Sequence, residues 1–176
     1  MDLMLNPKVL VSEKKIEERV KILGQQITKD FKGKNLTIIC VLKGCIPFMA
    51  DLIRNIPIPF VVDVIHASSY IDTKSSGKVN IRSEPILDLN DRHVLIIDDI
   101  LDTGRTLKTI SDRIQNKFNP IDIKNCVLLD KPSRRTEDIY ADYAGFEIPN
   151  AFAVGYGLDY NEYYRNLPYI GTLESN

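Results

Sequence analysis

Between Val94 and Leu107 the chain reads V-L-I-I-D-D-I-L-D-T-G-R-T-L, and this run constrains the fold more than any other stretch. Four consecutive apolar residues mark a strand covered on both faces, the situation of a strand inside a parallel sheet. The strand is expected to end abruptly at the acids Asp98, Asp99 and Asp102. Thr103-Gly104-Arg105-Thr106 then forms a polar turn into a helix. In an open α/β sheet, ligands bind beyond the carboxyl ends of the strands, where the next helix presents unpaired backbone N–H groups and the positive end of its dipole. Such a turn can hold a phosphate through successive N–H groups and two threonine hydroxyls, with Gly104 letting the backbone come close. Side chains alternate along an extended strand, so Asp98 and Asp99 start on opposite faces, and a turn is needed before both can flank one ligand. A phosphate beside carboxylates points to a sugar phosphate whose hydroxyls the acids bind, or to Mg²⁺ between them. The bland alternative is an acidic turn that caps a helix.

The same strand, turn and helix unit recurs along the chain. Leu36 to Leu42 is a near-continuous apolar run that stops at Lys43-Gly44, and Ile46 to Arg54 reads as a short helix with Pro47 in its first turn. Phe60 to Ala67 supplies another strand. The polar residues 68–78 follow it, and Val79 to Arg82 is expected to pair back as a short strand, which makes this region an extended hairpin arm. Composition leaves a mobile lid and a solvated loop both open for residues 68–78. Leu107, Ile110, Ile114 and Phe118 mark one face of a helix that Asn119-Pro120 ends, and Ile123 to Leu129 is a further buried strand before Asp130-Lys131-Pro132. Ahead of these units, Ser12 can cap a helix whose apolar positions Ile16, Val20, Leu23 and Ile27 recur at helical spacing until Gly33, and its role is packing. His66 and His93 are read as strand-edge or loop residues without a catalytic part.

Length and composition bound the function classes. The 176 residues suit one domain with a sizeable core, and 44% hydrophobic with 27% charged residues is an ordinary globular balance. A formal net charge of −1 leaves no global basic field of the kind that drives non-specific nucleic-acid binding. Cys40, Cys45 and Cys126 are odd in number and lack Cys-x-x-Cys spacing, so neither a disulfide framework nor a zinc site is expected, and Cys40 and Cys126 read as buried thiols. No run approaches membrane-spanning length, and a reducing cytoplasm is the expected location.

The run VLIIDDILDTGRTL resembles the phosphoribosyl pyrophosphate motif of the type I phosphoribosyltransferases, and the rest of the chain resembles their hypoxanthine-guanine branch. Separate matches carry the likeness from about Leu36 to Leu167. Val41-Leu42-Lys43-Gly44 resembles the pyrophosphate loop, in which a cis peptide typically precedes the lysine. Ser68-Ser69-Tyr70 resembles the start of the catalytic flexible loop, and Lys131 with the string FAVGYGLDYNEYYR, Phe152 to Arg165, resembles the purine-binding part. The resemblance implies an α/β fold with a central, mostly parallel, twisted sheet and helices on both faces. It also implies a small hood formed by the N- and C-terminal segments: a single domain over 1–176, core about 36–145, hood from 1–12 and 146–176.

The resemblance further implies transfer of a phosphoribosyl group from phosphoribosyl pyrophosphate to hypoxanthine or guanine, giving IMP or GMP and pyrophosphate. Asp102 would accept the proton from the purine nitrogen. Asp98 and Asp99 would bind the ribose hydroxyls, where many relatives carry Glu-Asp, and Thr103, Gly104, Arg105 and Thr106 would hold the 5-phosphate. Lys43, Gly44 and Arg165 would bind pyrophosphate, Ser69 and Tyr70 would close over the site, and Lys131, Phe152, Ala153 and Asp159 would form the purine subsite. Mg²⁺ is the implied cofactor, with Asp98, Asp99 and Asp159 as its ligands. A homodimer or homotetramer is implied, with no nucleic-acid or membrane partner. Two rivals remain: a xanthine-preferring transferase, and a nucleic-acid-binding regulator on the same fold whose only candidate basic patch is Lys131, Ser133, Arg134 and Arg135.

Overall fold

The computed structural model describes residues 6–69 and 79–173. Its main sheet has six strands in the order β4-β3-β2-β5-β6-β7, where β2 is Leu36–Leu42, β3 Phe60–Ser69, β4 Val79–Ser83, β5 His93–Leu101, β6 Asp122–Asp130 and β7 Tyr143–Glu147. All neighbours pair in parallel except β3 and β4, which run antiparallel as the hairpin arm predicts. Three helices cover the sheet: α1 Glu13–Phe31, α2 Ile46–Ile53 and α3 Arg105–Lys117. Among the described residues, none of these helices is long and apolar enough to cross a membrane.

Two apolar layers hold the sheet to its helices. On one face Ile16, Val20, Leu23, Ile27 and Phe31 of α1 and Phe48 and Leu52 of α2 pack on Leu36, Ile38, Leu95 and Ile97. On the other, Leu107, Ile110 and Ile114 of α3 pack on Ile39, Val41, Val94 and Ile96. The central strands are thus apolar on both faces, which is why their sequences run without alternation. Full burial of each such Leu, Ile or Phe side chain stabilises by about 1.5–3 kcal/mol before entropy is set against it.

A smaller antiparallel sheet joins both ends of the chain. It consists of β1 Lys8–Val11, β9 Ile170–Thr172 and β8 Ala153–Val154, in the order β1-β9-β8. Gly171 sits where a side chain would strike Pro7.

Two expectations need correction. Cys40 and Cys45 are joined in a disulfide, with their Cα atoms 6.7 Å apart, whereas spacing alone predicted unlinked cysteines. The turn after β2 folds Cys45, the residue just before α2, back over the strand, a proximity that no Cys-spacing rule encodes; Cys126 is a free, buried thiol as expected. Second, β5 does not stop at the acids. It continues through Asp98 and Asp99 to Leu101, still paired with β6 through Ile100↔Leu129 and Leu101↔Asp130, although β2 has left its side after Cys40↔Ile97.

Candidate active site

The departure of β2 opens the sheet next to the two acids. Strict alternation would put Ile97 and Ile100 on opposite faces, yet both pack on the layer beneath α1 and α2, so the strand twists across Asp98 and Asp99. That twist takes the place of the turn expected between the two acids. Asp98 is 7% exposed, and its Oδ1 accepts a hydrogen bond from the Asp99 backbone N–H at 3.0 Å. Burial, then the neighbouring Asp99 charge, pushes the Asp98 carboxyl well above the usual carboxylate range. Burial likewise raises Asp99, to about 6, against the lowering effect of its hydrogen bonds and of the Arg165 charge.

The chain crosses from β2 to α2 through Lys43-Gly44, and the Leu42–Lys43 peptide is cis. Gly44 lets the loop lie against the acid: a Cβ on it would overlap the Asp99 carboxylate, which would have to turn aside. Behind it lies Gly157, at φ 100°, whose own Cβ would overlap the Gly44 carbonyl oxygen. The pyrophosphate-loop candidate is therefore clamped between β5 and the C-terminal segment. Tyr156 strengthens the clamp by donating from its hydroxyl to Asp51 of α2 at 2.6 Å.

After β5, Asp102 and Thr103 lead to Gly104, which caps α3 at φ 91° with no side-chain cap bond. The left-handed conformation and the nearby Ile139 and Arg135 side chains leave no room for a Cβ. Gly104 offers no capping side chain, and in the first turn of α3 the Arg105 N–H makes a long contact of 3.4 Å with Thr103 Oγ1, which a phosphate cradled among Thr103, Arg105 and Thr106 would displace. Arg105 Nε lies 3.7 Å from Glu137.

Asp102 sits between two cations. Its Oδ1 accepts from Arg134 Nε at 3.1 Å, and its Oδ2 lies 3.6 Å from Lys131 Nζ. Lys131 is 6% exposed, not a solvated lysine, and its backbone N–H donates to Leu101 at 3.0 Å, joining the ends of β6 and β5. Arg135 donates to the Asp102 carbonyl and to the Asp130 carboxylate. The supposed basic patch is therefore spent on internal contacts. Sequence reading missed Arg134 and Arg135 as site residues; their position directly after β6, facing the β5 turn across the sheet edge, was the available signal.

The C-terminal segment closes the site. Phe152 is 54% exposed and meets Tyr160 edge-to-face at 5.7 Å, so it is an available aromatic face and not a core residue. Ala153 is buried in β8. Gly155 and Leu158 exchange backbone hydrogen bonds, and Arg165 Nη1 donates to the Gly157 carbonyl at 2.7 Å. Arg165 Nη2 pairs with Asp159 at 2.8 Å, and the other Asp159 oxygen accepts from the Glu162 N–H at 2.9 Å. Asp159 therefore does not join Asp98 and Asp99, and no group of three potential metal ligands exists among the described residues. Ser69 ends β3 opposite Val79, while Tyr70 and the rest of the predicted flexible loop lie outside the described residues.

Comparison with known proteins agrees with this geometry. Residues 9–161 match the family model described as "Phosphoribosyl transferase domain". The chain is 50% identical over 168 residues to a hypoxanthine-guanine phosphoribosyltransferase of Streptococcus pneumoniae, covering 95% of this chain and 93% of that protein. A crystal structure of a hypoxanthine phosphoribosyltransferase from Staphylococcus aureus superposes with a TM-score of 0.89 at 47% identity, covering 96% of this chain and 94% of that one. A hypoxanthine-guanine phosphoribosyltransferase from Bacillus anthracis gives a TM-score of 0.89 at 42% identity over 97% and 100% of the two chains.

Proposed function

The chain belongs to the phosphoribosyl transferase domain family, and from that premise we propose how its residues divide the reaction. It is a purine-salvage phosphoribosyltransferase, moving the phosphoribosyl group of phosphoribosyl pyrophosphate to hypoxanthine or guanine. A bond forms between the anomeric carbon and a purine nitrogen, the bond to pyrophosphate breaks, and the nitrogen loses its proton. The observation that carries the assignment of roles is the bracketing of Asp102 by Lys131 and Arg134 at the mouth of the phosphate turn.

In this reading Thr103, Gly104, Arg105 and Thr106 hold the 5-phosphate, and Asp98 and Asp99 accept hydrogen bonds from the ribose hydroxyls. Asp102 takes the purine proton; Lys131 donates to the 6-oxo group, releasing its pairing with Asp102 as the base enters. Phe152 stacks on the purine, with Ala153 behind it. Lys43, Gly44 and Arg165 bind the pyrophosphate, where positioning and fixed charge lower the barrier. Ser69 and Tyr70 belong to the loop that excludes water.

Mg²⁺ fits the chemistry of this donor set. Asp98 and Asp99 are hard oxygen ligands whose burial leaves them short of counter-charge, and when bound the ion would supply it and neutralise the leaving pyrophosphate. Asp159 can contribute on the pyrophosphate side only by giving up part of its pairing with Arg165. Homodimer or homotetramer formation belongs to the same proposal, supported by the exposed apolar side chains Ile46, Val62 and Val64. So does a cytoplasmic location, where a charged, phosphorylated donor is retained.

The test is nucleotide formation from phosphoribosyl pyrophosphate, Mg²⁺ and a panel of hypoxanthine, guanine, xanthine and adenine. Turnover is expected with hypoxanthine and guanine. Turnover with xanthine alone would shift the assignment to the xanthine-preferring branch, and none with any purine would end the enzymatic reading.

A further inference from the structure

Lys43 and Arg165, assigned above to the same pyrophosphate, already share an anion. Lys43 Nζ lies 3.3 Å from both carboxylate oxygens of Glu162, and Arg165 Nη2 donates to Glu162 Oε2 at 3.0 Å. We propose that Glu162 is a built-in stand-in for the pyrophosphate, a carboxylate that fills the anion subsite when substrate is away and swings out when the donor binds. The inference rests on the pyrophosphate reading of Lys43 and Arg165.

The turn carrying Glu162 is shaped for this contact. Asn161, Glu162 and Tyr164 all have left-handed backbone angles, φ 52°, 67° and 74°. Such conformations are sparsely populated for non-glycine residues and persist where surrounding structure over-determines them. Here Asp159 accepts the Glu162 N–H, and Tyr160 and Tyr163 exchange backbone hydrogen bonds across the turn. The result aims an acid across 119 residues of sequence at Lys43.

The contact is also built to be released. The Glu162 side chain is 66% exposed, so leaving the subsite uncovers little apolar surface and strands no buried charge. Its carboxylate accepts from Arg165 and Lys43 at once and so competes as an anion for both cations. Arg165 keeps one donor in reserve: Nε is buried without a hydrogen-bond partner among the described residues. A pyrophosphate has more oxygens than a carboxylate and can engage Lys43, Arg165 and that spare donor together.

Titration calorimetry of Mg²⁺-pyrophosphate with wild type, Glu162→Gln, Lys43→Ala and the double variant tests the proposal. Glu162→Gln should bind pyrophosphate roughly two- to fivefold tighter, the range expected from removing one exposed ionic competitor. That gain should be smaller in the Lys43→Ala background, where Glu162 still competes for Arg165 alone, and the purine KM should not move. Glu18→Gln, the same charge change on the exposed face of α1, should bind as wild type does. Unchanged or weaker binding by Glu162→Gln would overturn the stand-in role, as would an equal gain in Glu18→Gln. If Lys43→Ala binds pyrophosphate as well as wild type, the pyrophosphate assignment of Lys43 fails first and the stand-in falls with it.

Discussion

Asp98 and Asp99 are the residues at which folding and function pull in opposite directions. Both carboxyls are raised by burial, Asp99 to about 6 against an ordinary 3.8. A carboxyl raised in the folded state contributes stability that is present below pH 3.8 and is lost as pH rises through about 6. At pH 7.5, above that value, the substrate-free protein carries an unfavourable buried charge on Asp99. Asp99→Asn should be more stable than wild type there by about 1–2 kcal/mol, with the advantage vanishing near pH 4, as read by urea unfolding in EDTA. A constant difference at all pH values would show that the Asp99 charge is not the source of the destabilisation. The same variant should lose most of its turnover. Lys131 offers a second residue-scale test. Because its ammonium is buried and aimed at Asp102, Lys131→Ala should abolish discrimination between 6-oxo and 6-amino purines, and retained preference for hypoxanthine over adenine would contradict that role.

Among the elements, the proposed pyrophosphate loop at Lys43-Gly44 depends on two glycines for different reasons. Gly157 faces backbone, the Gly44 carbonyl, at a left-handed φ of 100°; Gly44 faces only the Asp99 side chain. Gly157→Ala should therefore cost about 2–4 kcal/mol in global stability, whereas Gly44→Ala should leave the melting temperature nearly unchanged and weaken donor binding instead. Thermal unfolding beside pyrophosphate titration separates the two, and equal losses of stability would contradict the distinction. These elements also show how far sequence could lead. The strands β2, β5 and β6 were legible because each carries at least four consecutive apolar residues, as double-sided burial demands, and α3 because Leu107, Ile110 and Ile114 keep helical spacing. The continuation of β5 through two acids was not, since its pairing with β6 overrides the polarity of its own residues. The Cys40–Cys45 link, the exposure of Phe152 and the reach of Glu162 to Lys43 depend on how distant segments meet, which no local pattern records.

Across the whole molecule, the site is assembled from the carboxyl ends of β2, β5 and β6 and sealed by a C-terminal segment whose last strand pairs with β1. Ligand binding should then stabilise the entire chain and not one lobe. At about a hundredfold excess over Kd, phosphoribosyl pyrophosphate with Mg²⁺ should raise the melting temperature by roughly 5–10 °C, and no shift would argue against an assembled donor site. Asp102, held between Lys131 and Arg134, is proposed to accept the purine proton. Single-turnover nucleotide formation by Asp102→Asn, measured beside its affinity for phosphoribosyl pyrophosphate, tests it most directly. The rate is expected to fall by about 10²–10⁴-fold with donor affinity within a few-fold of wild type; a rate equal to wild type would rule out Asp102 as the proton acceptor.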